Sequence, residues 1–195
     1  MVGTFSLVRA SVSLALVTVL PSQEVRANSA DNLATGITDA ASKSLGQEMW
    51  KGYGLPNGVL GCAAAVSNVL NKAGVKAAHS AGVVVMRNQL RHGSIRCQEF
   101  IIKNGSADLI DDQLLLKVSK PGDILVAFRD PPSSPNTGGN AHCGIMSDSP
   151  NVYTNDWNDG IWKKVNIHTM FDSYRHVRLL RLMPADAKNS VSHLR

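Results

Sequence analysis

Cys62, His142 and Asn155 have the residue types and the order for nucleophilic chemistry. Cys62 follows Gly58-Val59-Leu60-Gly61. After it, Ala63, Val66, Val69, Leu70 and Ala73 recur at three and four residues. That spacing predicts a helix from Cys62 to Ala73, with Gly74 as its stop. The N-terminus of a helix carries about half a positive charge, which favours the thiolate, the reactive form of cysteine. The competing account of Cys62 is a small core residue, because free cysteine is among the most buried residue types.

A thiol nucleophile needs a base. Of the six histidines, His168 falls at a helix start, while His79, His92, His176 and His193 fall in helices, loops or the tail. His142 opens "HCGIMS", a strand directly after the Pro/Gly-rich stretch RDPPSSPNTGGNA. The strand fixes its direction and the loop gives it access. A base is oriented in turn by an acceptor for its other ring nitrogen. In a hairpin centred near Asp148 and Ser149, residue 142 pairs with residue 155, and paired residues share one side of the sheet. Asn155 then orients His142, and a slip of one residue substitutes Asp156.

The elements that must position these groups are legible in outline. Leu33, Ile37, Ala40, Ala41, Leu45 and Met49 share one side of a first helix, and Gly52, Gly54 and Pro56 break the chain into a loop. "SAGVVVMRNQLRHG" predicts another helix, capped by Ser80 and ended by Gly93, with a strand as the alternative because of its three consecutive valines. "GDILVAF", "HCGIMS", "NVYTND", "IWKKVNI" and "VRLLRLM" then predict short strands, with a short helix at "HTMFDSYR" before the last. Helices first and strands second is an α+β order. The connection SDSPN is too short for a crossover, so the pairing is antiparallel.

The order Cys, His, Asn on helix, strand and next strand resembles the circularly permuted papain-like arrangement of NlpC-type and CHAP-type cell-wall cysteine peptidases and amidases. "YGLPNGVLGCAAAVSNVLNKAGV" is similar to their Tyr-x-Gly, Cys and apolar-helix pattern, "KPGDILVAF" to their Pro-Gly-Asp strand, "HCGIM" to their His-Val-Gly-Ile strand, and "FDSYRHVRLLR" to their closing segment. Together these span about residues 50–182. The resemblance implies N-terminal helices packed on an antiparallel sheet. It implies Cys62 as nucleophile, His142 as base, Asn155 as orienter, and Tyr53 as a group that binds substrate or polarises the carbonyl. The backbone N–H of Cys62 would contribute to the oxyanion hole. The implied activity is hydrolysis of an amide in peptidoglycan stem peptides or cross-links. The chain has Gly61-Cys62-Ala63-Ala64 where the NlpC type has Asp-Cys-Ser-Gly. That departure is the ground for an alternative, an inactive wall-binding module on the same fold. A secreted interaction protein with structural cysteines is a further alternative.

At 195 residues the chain is long enough for one domain with a real core. Its net charge of +5 is scattered, without the blocks or aromatic interleaving of a nucleic-acid surface. Arg9, the uncharged run 10–20, and Val25 and Ala27 at small-residue positions predict a signal peptide over residues 1–27, cleaved after Ala27. The run is shorter than the roughly 20 residues of a membrane span. A catalytic domain over 28–184 and a polar tail over 185–195 follow. Export implies a secreted or periplasmic protein in an oxidising compartment. With three cysteines, a Cys97–Cys143 bridge would leave Cys62 as the free thiol. His142, Cys143 and Asp148 lack the spacing of zinc ligands, so neither metal nor cofactor is expected. The expected partners are peptidoglycan or another peptide substrate and, for a toxin aimed at competitors, an inhibitor or immunity protein.

Overall fold

Cys62 begins a helix whose first turns, Ala63 to Val66, have no exposed surface. Small side chains let such a helix lie close against a sheet. A computed structural model describes residues 23–133 and 140–184, and shows what that sheet is. The elements in chain order are α1 (Gln23–Lys43), α2 (Cys62–Lys72), α3 (Val83–His92), β1 (Arg96–Asn104), α4 (Asp112–Val118), β2 (Ile124–Phe128), β3 (Ala141–Met146), β4 (Asn151–Asn155), β5 (Trp162–Asn166), α5 (Ile167–Phe171) and β6 (His176–Met183). The fold is α+β. Six strands in the order β1-β6-β2-β3-β4-β5 form one sheet, and every neighbouring pair is antiparallel.

Both faces of the sheet are covered. On one, Ile37 of α1, Val66 and Leu70 of α2 and Met86 of α3 pack on Val126, Cys143, Ile145 and Leu180. On the other, Leu115 of α4 and Met170 and Phe171 of α5 pack on Leu125, Met146, Val152 and Leu179. The expectation of helices on the sheet holds for α1, α2 and α3. The second layer lies outside that expectation, because β1 and α4, within residues 95–119, bury few of their side chains and carry no clean apolar period. Double coverage also explains why β2 is a continuous apolar run, Ile-Leu-Val-Ala-Phe, rather than an alternating one.

The Pro121-Gly122-Asp123 turn anchors β2. Gly122 has φ +86°, and a Cβ there would stand 2.7 Å from the Ala34 carbonyl oxygen of α1, so the turn requires glycine. Asp123 is almost fully buried. It accepts from Arg181 Nε at 2.8 Å and a terminal nitrogen at 2.7 Å, and from the Lys120 N–H at 2.8 Å. Helix α3 starts at Val83 without a side-chain cap, and Ser80 instead exchanges hydrogen bonds with Gly82 and Ser67.

Residues 1–22, 134–139 and 185–195 lie outside the described residues, which takes in most of the expected signal peptide, part of the Pro/Gly stretch and the expected tail. The expected cleavage point after Ala27 falls within α1. Among the described residues no helix is long and apolar enough to cross a membrane.

Candidate active site

Cys62 is the first residue of α2, and its Sγ is placed by the turn before it. Gly61 precedes it without any side-chain cap, and no acidic residue occupies the first turn. The positive end of the helix is therefore left for the thiol itself. His142 is the second residue of β3, on the opposite side of the strand from Cys143 and Ile145, and its ring stands 5.1 Å from Phe171 and 5.2 Å from Trp157. Both residues stand near the start of their elements, and there they line one cleft of about 440 Å³. Leu55, Val59, Leu60 and Trp157 supply an apolar wall, and Arg129 and Tyr174 a polar one.

The partner of His142 is Thr154. Its Oγ1 lies 2.9 Å from His142 Nε2 and donates its only proton to the Cys143 carbonyl at 2.7 Å. A hydroxyl has one donor. Thr154 must therefore accept from the ring, and His142 carries its proton on Nε2. Nδ1 is left with a free lone pair, the form a base needs to take a proton from a thiol.

Asn155 does not orient His142. The hairpin pairs Gly144 with Thr154, Ile145 with Tyr153 and Met146 with Val152, one residue away from the expected register. The Ser147 N–H bonds the Asn151 carbonyl, so the loop has an odd length and centres on Ser149. Thr154 then shares the face of His142, and Asn155 points to the other side. The Asn155 Nδ2 donates to the Gly58 carbonyl at 2.7 Å, and its Oδ1 is buried without a protein partner among the described residues. Asp156, the alternative third member, instead pairs with Lys163 at 2.7 Å and accepts from the Asn158 N–H at 2.8 Å.

Tyr53 is also placed elsewhere. Its hydroxyl lies 2.9 Å from His79 Nδ1, and the two ring centres are 4.5 Å apart with the planes tilted by 32°. The tyrosine in the cleft is Tyr174, whose ring lies nearly parallel to that of His142, 6.4 Å away, with the Arg129 guanidinium 5.9 Å from its centre. Burial, with the nearby charge of Cys62, pushes the Tyr174 hydroxyl up to about 12, so it stays a donor at neutral pH. Thr154 and Tyr174 both lie inside segments legible as strand or closing helix. No signal in their spacing singles them out.

The Cys62 thiol is held well below its ordinary range. A hydrogen bond with the Cys143 thiol is the largest cause; burial opposes it, and the charge of His142 and a hydrogen bond with its ring add to it. Cys143 moves the other way, raised by burial and by its neighbour Cys62. Cys97 is pushed up to about 11 by burial and by Glu99. Among the three cysteines, Cys62 alone has the character of a nucleophile.

The Cys97–Cys143 bridge is absent, and all three thiols are free. β6 and β2 lie between β1 and β3, which separates the strands by about 14 Å, beyond the reach of a disulfide. Among the described residues, no three His, Cys, Asp or Glu side chains are grouped so as to hold a metal ion. No family model matches this chain, and no curated protein matches it.

Proposed function

We propose that this chain is a cysteine hydrolase of amide bonds with Cys62 as nucleophile and His142 as base. One observation carries the reading: a thiol and an imidazole 80 positions apart line one cleft, with the imidazole tautomer fixed for proton transfer by Thr154. His142 Nδ1 takes the proton of Cys62, and the thiolate attacks the carbonyl carbon. The oxyanion that forms is met by the Cys62 N–H at the helix start, with the Tyr174 hydroxyl as a further donor in the cleft. The imidazolium protonates the leaving amine, which departs and leaves a thioester. His142 then deprotonates water, the water attacks the thioester, and Cys62 is released as the acid product forms.

The proposed substrate is peptidoglycan, cut in its stem peptides or cross-links. Support comes from the resemblance of "KPGDILVAF" and "HCGIM" to wall hydrolases, and from a cleft lined by both apolar side chains and the Arg129 cation. The proposed setting is secreted or periplasmic, after removal of residues 1–27. Purified peptidoglycan is digested with residues 28–195 and with the same chain carrying Cys62→Ala, and the products are read by mass spectrometry. New amine ends from the first and none from the second are expected. Equal release from both contradicts the proposal.

A further inference from the structure

Thr154 and Asn155 are consecutive on β4 and so point to opposite faces of the sheet. Thr154 holds the base. Asn155 reaches the other half of the site, where its fully buried amide donates to the Gly58 carbonyl. The same carbonyl accepts from the Gly61 N–H at 2.9 Å, which closes the turn that delivers the chain to Cys62. The Gly61 carbonyl then accepts from the Ala65 N–H at 2.8 Å in the first turn of α2.

Trp50 packs against the same turn. A Cβ on Gly58 would stand 2.4 Å from Trp50 Nε1, and one on Gly61 2.3 Å from Trp50 Cβ. Only glycine allows the indole this close. The unpartnered Oδ1 of Asn155 makes the amide a costly choice for a buried site, because an apolar side chain of similar size would bury no unpaired oxygen. What the amide adds is its hold on Gly58.

We propose that Asn155 is a positioning residue for the nucleophile. Through Gly58 it sets the turn 58–61, and with it the direction of the Cys62 backbone N–H that meets the oxyanion. The assignment rests on Cys62 being the nucleophile. β4 then sets both halves of the site from one strand, the base from one face and the nucleophile's turn from the other.

Asn155→Leu keeps the branching and the number of heavy atoms and removes the donor, and Thr154→Val is the comparison. Three quantities are measured: amide hydrogen exchange at Gly61 and Ala65, kcat and KM for amide hydrolysis, and the pH dependence of Cys62 alkylation. Asn155→Leu is expected to speed exchange at Gly61 and Ala65 about tenfold or more, with Leu125 and Val126 unchanged. It is expected to lower kcat roughly tenfold with little change in KM, and to leave the alkylation midpoint in place. Thr154→Val is expected to move that midpoint. Unchanged exchange at Gly61 overturns the proposal, and so does a midpoint shift matching that of Thr154→Val, which would put Asn155 on the base. If the Leu variant fails to fold, Asn155→Ala is read in the same way. If the unaltered chain hydrolyses no amide, the hydrolase reading fails while the exchange data still decide whether Asn155 sets the turn.

Discussion

Thr154→Val removes one oxygen and keeps the shape of the side chain. It leaves the Nε2–H of His142 without an acceptor and frees the Cys143 carbonyl. A hydrogen bond to a charged group contributes about 1.5–3 kcal/mol. The variant is therefore expected to lose roughly 10- to 100-fold in kcat/KM, read by steady-state hydrolysis, and to melt a few degrees lower, because a buried donor and a buried acceptor lose their partner. Cys143→Ala tests the other neighbour. It removes the largest influence holding the Cys62 thiol down, so the alkylation midpoint of Cys62 rises toward the ordinary thiol range. A midpoint that stays in place or falls would contradict the assignment of Cys143 as donor to the Cys62 sulfur. Cys62 and His142 were legible in the sequence because one precedes a clear helical pattern and the other opens a clear strand. Thr154 was not, because a hairpin loop of odd or even length exchanges the two faces of a strand and SDSPN does not say which.

At the scale of elements, two polar clusters make separate predictions. Asp123 ties the start of β2 to Arg181 on β6 as a bidentate pair, nearly buried on the carboxylate side. Asp123→Ala leaves a cation with its partner removed and is expected to cost about 3–5 kcal/mol in urea unfolding. His168 joins α4 to α5, with Nε2 2.9 Å from Asp112 and Nδ1 2.9 Å from Asp172. The hydrogen bond with Asp112 is the largest cause raising its folded pKa above the usual value, with Asp172 adding to it against burial. A raised folded pKa favours the folded state fully below the unfolded value of about 6.5. The contribution is lost as pH rises through the folded value. The Tm difference between the unaltered chain and His168→Ala should therefore be larger at pH 5.5 than at pH 9. Equal differences at both would show that the ion pairs contribute nothing. His168 was expected to sit at a helix start, which it does, but the cap there is Asn166. What the imidazole does depends on Asp112, 56 positions away, and local pattern carries no such information.

Across the whole molecule, the site exists because the sheet joins two layers. Cys62 belongs to the helical layer of α1, α2 and α3, while the ring of His142 lies against the α5 side, beside Phe171 and Tyr174. The strands β2 to β6 and the helices α2, α3 and α5 were legible from apolar pattern and turn residues. The two-layer cover was not, because β1 and α4 are half-exposed elements whose pattern resembles that of a connecting segment. Three free thiols are a property of the whole chain, and denaturing alkylation without reductant should label all three. Labelling of Cys62 alone would mean that Cys97 and Cys143 had bridged and that the sheet order is different. The central claim is that Cys143, His142 and the helix start lower the pKa of the Cys62 thiol and ready it to give its proton to His142. It is tested most directly by the rate of Cys62 alkylation with iodoacetamide from pH 4 to pH 9, in the unaltered chain and in His142→Ala. The account predicts a midpoint well below the ordinary thiol range that moves upward when the imidazole is removed. An ordinary midpoint in both proteins would contradict it.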